Sequence, residues 1–333
     1  MDYARKVSIL IAAYNVEKYI EQCILSVCNQ RYRNIEIIVV NDCSNDSTGE
    51  ICNRIALSDD RIKVIHHKKN MKLPATRNTG LDNATGEYIV FVDGDDWLAP
   101  DFVDYMLGLI ISTESDMAIS RTNFTTRDTR QIERDYTEIW DKNTSTANFL
   151  YSRIPIGAWD KIYSRKFIEE NQLRFKPLFT AEGFRFISDC SQRANQVAVG
   201  NRRVYYYRLN NPNSATTLPD IRQGLGAIEA IDGIEKDLII KSPFVMKSIR
   251  HHRWINYKYT LQIIIESKAE DKHCDIYTNC LRYIRKNGIR IFLDTSMSKY
   301  KIKILLYTLF PVKMVQKDID KKKREFQKDT LYK

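Results

Sequence analysis

From Val7 to about Ser120 the chain alternates short apolar runs with longer stretches of helical periodicity. Val7–Ala12 is a nearly unbroken apolar run of strand length. Val16, Ile20, Ile24 and Val27 then share one face of a helix expected over Val16–Gln30. The same alternation predicts strands at Ile35–Val40, Arg61–Ile65, Tyr88–Val92 and Asp116–Ser120. Between them it predicts helices at Ser47 to about Leu57, Leu73–Ala84 and Phe102–Ile111. Strands that are apolar along their length are covered on both faces, and such short connections imply right-handed crossovers. The expected class is therefore α/β, built on a parallel sheet.

Beyond Ser120 the pattern loosens. Tyr151–Tyr163 sets Trp159 and Tyr163 around Asp160 and Lys161; Glu182–Ala194 reads as a helix and Val204–Arg208 as a strand ending in a tyrosine run. The composition of Asn210–Thr217 is that of a loop, and the signals after it are almost wholly helical. The expected division is residues 1–215 and 216–333.

With 333 residues, 43% hydrophobic and 28% charged, the chain can bury one large core with an appended subdomain. Seven cysteines without a Cys-x-x-Cys spacing argue against a disulfide framework or a structural zinc and fit a reducing cytoplasm. The run at Val7–Ala13 is too short for a signal peptide, and no stretch approaches the ~18–20 apolar residues of a membrane span. Net charge is +10, but residues 298–333 hold 11 Lys/Arg against 4 Asp/Glu, leaving 41 basic against 38 acidic residues before them. A nearly neutral body carries a basic tail.

Candidate chemistry gathers where the strands end. Tyr88–Val92 runs into Asp93, Gly94, Asp95 and Asp96, three mutually repelling carboxylates within four positions. Two readings are open: a site for a hard divalent cation such as Mg²⁺ or Mn²⁺, or an acidic cap, by Asp95 or Asp96, on the helix after Pro100. The other strand ends supply Tyr14 and Asn15, Asn41 and Asp42, and His66 and His67. In a parallel sheet all of these meet along one edge. Tyr14 could stack on a base, Asp42 accept the imide proton of a uracil, Asp93 hold a ribose and Asp95 carry a cation bridging a diphosphate. Arg77 could neutralise phosphate charge. His66 and His67 read as solvated residues. No Gly-x-Gly-x-x-Gly follows the first strand and no Gly-x-x-x-x-Gly-Lys-[Ser/Thr] occurs, which excludes the common dinucleotide and P-loop signatures.

Four segments in order, Val7–Asn15, Val40–Thr48, Ala75–Gly80 and Phe91–Trp97, resemble the family 2 glycosyltransferases of GT-A fold, over residues 1 to about 215. The chain is most similar to bacterial enzymes that build capsule, O-antigen or cell-wall glycans. The resemblance implies a mostly parallel sheet flanked by helices and an inverting transfer from a UDP-sugar with Mn²⁺ or Mg²⁺. Tyr14, Asn15, Asp42 and Asp93 would bind the nucleoside, with Ala13, Glu17, Ser44, Arg77 and Gly94 as further donor-binding positions. Asp95 would bind the metal and Asp96 support it. Trp159, Asp160 and Lys161 match a motif near sugar and acceptor, and Arg208, with Ser214, flanks a loop that closes over the donor.

Two positions depart from the pattern. Ala12 replaces the usual proline. More consequentially, the usual Glu-Asp pair reads Glu182-Gly183, so the base position is empty of a carboxylate. Three alternatives follow: Glu182 is the base, Asp189 or another acid reaches in, or the chain is a non-catalytic, partner-dependent subunit that binds nucleotide sugar. In the tail, Lys299, Lys301 and Lys303 precede an apolar segment ending at Phe310, and Pro311 precedes a lysine-rich stretch. This suits a helix lying in a membrane interface, and with it a polyprenyl-linked acceptor and a cytoplasmic protein peripheral on the inner face of the membrane. The alternative is a solvated helix that covers the core or mediates a homo-oligomer. Nucleic acid is the weakest partner, since few aromatics interleave with the charges.

Overall fold

The computed structural model describes the backbone of residues 4–209, 211, 219–295 and 298–330, and the side chains of these apart from 298–299 and 326–330. Two compact units emerge: Met1–Phe149, Ile154–Pro177 and Glu182–Asn213 form one, and Leu150–Arg153, Leu178–Ala181 and Ser214–Lys333 the other. The division expected at 215/216 lies outside the described residues.

The first unit contains strands β1 (Val7–Ala13), β2 (Ile35–Asn41), β3 (Ile62–His66), β4 (Tyr88–Asp93), β5 (Trp97–Leu98), β6 (Met117–Ser120), β7 (Phe124–Thr125), β8 (Thr137–Asp141), β9 (Lys161–Ser164), β10 (Gln196–Gly200) and β11 (Tyr205–Tyr207). Its helices are α1 (Ile20–Cys28), α2 (Thr48–Ala56), α3 (Lys72–Asn83), α4 (Phe102–Ser112), α5 (Lys142–Leu150, whose last residue clusters with the second unit), α6 (Arg165–Glu170) and α7 (Glu182–Ser191). The main sheet has the order β3-β2-β1-β4-β9-β6-β10-β8. β1 pairs in parallel with β2 and β4, so the chain winds outward from β1 to β3 and then returns to the other side of β1. The crevice between β1 and β4 is thus a topological switch point, where open α/β sheets bind ligands.

Alternate residues of the central strands feed two cores. Ile9, Ile11, Val39 and Val92 pack with α1 and α4, and Leu10, Ile38, Val40 and Phe91 pack on the opposite face with Phe175 and Phe186. Burial on both faces is why these strands read as apolar runs.

The sheet is mostly parallel, with β9 antiparallel between β4 and β6 and β8 antiparallel at the edge. The strand expected at Val204–Arg208 is β11 of a small sheet, β5-β11-β7. Helix α1 begins at Ile20 rather than Val16; the segment before it is tied to the loop after β2, with Asn15 N donating to Ser44 Oγ (3.0 Å), Val16 N to Thr48 Oγ1 (2.9 Å) and Glu17 N to Asp46 Oδ2 (3.1 Å).

The second unit is helical: α8 (Ile221–Lys236), α9 (Pro243–Glu266), α10 (Cys274–Asp294), α11 (Ser298–Leu309) and α12 (Pro311–Thr330). Asp220 and Gln223 form a capping box on α8, and Ser242 caps α9 with Pro243 at its first turn. Trp254, Ile284, Ile291, Ile304, Tyr307 and Val315 form its core. Among the described residues no helix is long and apolar enough to cross a membrane.

Candidate active site

The C-terminal ends of β1, β2, β3 and β4 bring their following residues to one edge of the sheet. At β1, Ala13 is buried and its carbonyl accepts the Asp42 amide (2.9 Å), while Tyr14 is 45% exposed, its ring open to a stacking partner. Asn15 adopts a left-handed backbone (φ 52°) and its Oδ1 accepts from Asn45 N at 2.9 Å. Ser44 Oγ donates to Asn41 Oδ1 (2.5 Å), and Ser47 N donates to Glu17 Oε2 (3.0 Å). The predicted donor-binding residues Asn15, Glu17 and Ser44 therefore stitch two loops together as well as bordering the crevice.

Asp42 is almost fully buried and accepts from Met71 N (2.7 Å), Lys72 N (2.8 Å) and His67 Nδ1 (2.7 Å). His67 is correspondingly not a solvated residue. Its Nε2 lies 3.0 Å from Thr79 Oγ1. Because a carboxylate only accepts, Nδ1 carries a ring proton. His66 lies between Asn41 (3.0 Å) and Asn53 (2.9 Å). His66 is exposed, as expected; His67 was missed because its partners sit on other elements.

The acidic run divides by environment. Gly94 is buried with its amide on Ala12 O (3.0 Å); a Cβ there would lie 2.9 Å from that oxygen, so the close approach of β1 requires glycine. Asp96 is enclosed, accepting Tyr205 Oη (2.7 Å) and Arg208 N (2.7 Å). Burial, reinforced by the charges of Asp95 and Asp93, pushes its carboxyl well above the usual range. The capping alternative fails: Asp101 occupies the N-cap of α4, and Asp95 and Asp96 bond elsewhere. Asp95 is half-buried and accepts Asn211 Nδ2 (2.7 Å); burial and the charge of Asp93 push its carboxyl up. Asp93 accepts Arg77 at 2.7 Å.

Arg77 is buried and does not stand free for phosphate. Its other terminal nitrogen donates to Glu182 Oε1 at 2.7 Å, so one guanidinium clamps Asp93 to the candidate base. Burial opposes its charge, but these two carboxylates more than offset that and raise its pKa. Among the described residues, Arg208 is a half-buried cation beside Asp95. Its Nε donates to the Asp95 carbonyl (2.7 Å), and its guanidinium carbon lies 4.5 Å from the Tyr19 ring centroid and 4.7 Å from that of Trp97. Ser214 lies outside the described residues.

The Trp159–Lys161 segment reaches the same edge because β9 is antiparallel, so its beginning lies where the parallel strands end. Trp159 stacks on Tyr207 (5.0 Å, 16°) and Tyr205 (5.1 Å, 26°). Lys161 does not line the crevice: it is 0% exposed and ion-paired with Asp160, which is held also by Asn123 Nδ2 (2.8 Å). Burial pushes the Asp160 carboxyl up to about 6 and the Lys161 ammonium down. The pair supports Trp159 from beneath. Asp189, the alternative base, is buried and accepts from Arg185 Nε (2.9 Å) on its own helix. Gly183 presses on the backbone of Gly157 and Ala158, where a Cβ would lie 3.2 Å from Ala158 N.

Among the described residues no cluster of three or more His, Cys, Asp or Glu side chains is arranged to hold a metal unaided. With Asp93 held by Arg77 and Asp96 enclosed, Asp95 supplies the remaining carboxylate, half-buried, bonded at Oδ2 to Asn211 and destabilised by burial and Asp93. That donor set suits a hard cation whose remaining positions are filled by phosphate oxygens and water.

Residues 8–173 match the family described as Glycosyl transferase family 2. An uncharacterised glycosyltransferase of Haemophilus influenzae is 33% identical over 255 residues, spanning 76% of this chain and 98% of its own length. The chain belongs to glycosyl transferase family 2. The glycosyltransferase GlyA of Streptococcus pneumoniae is 34% identical over 216 residues, 61% of this family 2 chain, which spans only 30% of GlyA. The S. aureus protein TarS, solved as residues 1–349 in complex with UDP-GlcNAc, superposes with a TM-score of 0.69 at 21% identity, over 93% of this chain and 88% of that one. The GT-A fold expected from the motifs is the fold observed, with a helical C-terminal unit.

Proposed function

We propose that this chain transfers a sugar, with inversion, from a UDP-linked donor to a glycan or lipid-linked glycan acceptor in bacterial surface polysaccharide synthesis. It would work in the cytoplasm, peripheral on the inner face of the membrane. The observation that carries the reading is the β1/β4 switch point, where the strand ends bring half-buried Asp93 and Asp95, the latter beside Arg208, to the same sheet edge as the exposed Tyr14. The solved complex of TarS with UDP-GlcNAc, which shares the fold, supports UDP as the nucleotide.

In this reading Tyr14 stacks on the base, and Asp42, already aimed by three donors, accepts the imide N–H. Asp93, steadied by Arg77, binds the ribose. A divalent cation held by Asp95 would supply positive charge against the diphosphate, and Arg208 adds to it. The acceptor hydroxyl attacks the anomeric carbon from the face opposite the diphosphate; the carbon–oxygen bond to the diphosphate breaks and UDP departs. Glu182, held by Arg77 at the same crevice, takes the hydroxyl proton.

The test is a screen of UDP-sugars with Mn²⁺ or Mg²⁺ for binding, hydrolysis and transfer. Glu182→Gln should lower turnover by roughly 10²–10⁴ while donor binding persists; unchanged turnover removes Glu182 as the base. A second reading, a partner-dependent nucleotide-sugar-binding subunit, is favoured by Gly183 alone. It predicts binding without hydrolysis or transfer.

A further inference from the structure

Helix α11 has two apolar faces, and only one is used by the core. Ile304 and Tyr307 point into the core of the helical unit. Ile302, Leu305, Leu306 and Leu309 follow the i, i+3, i+4, i+7 spacing of a single stripe, and each is between 38% and 64% exposed. Ile289 and Leu293, one turn apart on α10, are 63% and 70% exposed. They lie on either side of Phe292 in sequence, and the Lys301 ammonium sits 5.2 Å above that ring. The stripe is also bracketed: Lys301 and Lys303 stand one position to either side of Ile302, about 100° round the helix each way. The Lys303 side chain is 53% exposed, its ammonium 3.9 Å from Asp318, a carboxylate that also meets Lys258 at 3.6 Å.

We infer that this face of α11, with the adjoining turn of α10, seats the protein on an anionic lipid bilayer. The apolar stripe enters the acyl boundary, and Lys301 and Lys303 lay their methylene stems beside it with their ammonium groups among the headgroups. Twelve residues of α-helix reach about 18 Å, short of the roughly 30 Å hydrocarbon core, so the helix lies along the surface. Charge decides against a second copy as the occupant. A two-fold pairing of the stripe would set the same lysines against each other, whereas anionic headgroups complement them. The inference deepens the peripheral-membrane part of the proposed function and rests on it for its purpose, but the binding it predicts needs no turnover.

Flotation of the full chain with vesicles tests it. The protein should rise with vesicles of phosphatidylglycerol and phosphatidylcholine in equal parts, and not with phosphatidylcholine alone. Ile302→Asn/Leu309→Asn should abolish flotation while leaving the melting temperature and the hydrolysis of soluble donor unchanged, since both side chains are more than half exposed. Lys301→Gln/Lys303→Gln should weaken binding to the anionic vesicles about 25-fold, roughly fivefold per lysine. No flotation at low salt, or flotation undiminished in the asparagine variant, overturns the inference, whatever the hydrolysis. A wild-type dimer by light scattering that the asparagine variant dissociates, without vesicle binding, assigns the face to a second copy instead. Flotation as predicted with no donor hydrolysis leaves the membrane face standing and sinks the catalytic reading.

Discussion

At the residue scale, the acidic run after β4 shows how three chemically identical side chains acquire different properties. Asp93 is tied to Arg77, Asp95 is half-buried beside Asn211 and Arg208, and Asp96 is enclosed under Tyr205. Asp96 is a costly group to bury, and the Tyr205 hydroxyl is one of the two bonds that make it tolerable. Tyr205→Phe should therefore destabilise the protein by about 1–3 kcal/mol, read from denaturant unfolding. A variant as stable as the parent would mean that the hydroxyl contributes no net stability. Left-handed backbone at Asn15 and Cys43 places two non-glycine residues in that conformation beside the strand ends that carry Tyr14 and Asp42. The sequence motifs marked Asp93 to Asp96 as a group. The family resemblance set Asp95 on the metal and Asp96 in support; the burial that separates them comes from Tyr205 and Arg208, over 100 residues away.

At the element scale, the β1/β4 switch point depends on how the starts of its strands are held. Glu36 on β2 accepts Ser8 Oγ of β1 (2.5 Å), Lys6 Nζ (2.9 Å) and the amides of Thr85 (2.6 Å) and Gly86 (3.0 Å) leading into β4. Burial alone would raise this carboxyl; the hydrogen bonds from Ser8, Thr85 and Lys6 override it and bring it to about 2. A folded-state value below the unfolded one gives stability that is present above about pH 4.5 and is lost as pH falls through about 2. The contribution is at most about 3 kcal/mol, reduced by the solvent that reaches the site. Unfolding followed from pH 6 down to about 2 should show this loss, and Glu36→Gln should flatten it. An unchanged acid limb in that variant would place the sensitivity elsewhere. The strand–helix alternation up to Ser120 was legible because β1, β2, β4 and β6 are buried on both faces. The antiparallel β9 was not: its four residues carry no periodicity, and its place between β4 and β6 comes from long-range pairing.

At the scale of the whole molecule, the cysteines report how the chain is packed. Cys23, Cys52, Cys190 and Cys280 are buried, Cys28 and Cys43 are half-buried, and Cys274 is exposed, all as free thiols. Burial raises the thiols of all four buried residues, those of Cys52 and Cys280 to about 12, so they are poor nucleophiles in the folded state. Titration of the native protein with a disulfide reagent should label Cys274 first and Cys28 and Cys43 more slowly, with the four buried thiols reacting only on unfolding. Saturating UDP should protect Cys43, which adjoins Asp42. Fast native labelling of four or more thiols would contradict this packing.

The sequence by itself determined the alternating architecture, the family motifs and the acidic strand end, because each is written in local pattern: apolar periodicity, turn composition, and residues a few positions apart. The tertiary structure alone decided how those residues divide their work. It paired Arg77 with Asp93 and Glu182, set His67 behind Asp42, withdrew Lys161 into the interior with Asp160, and left a lysine-bracketed apolar stripe on α11 facing outward. Each outcome depends on partners distant in the chain and on burial, which no local spacing encodes.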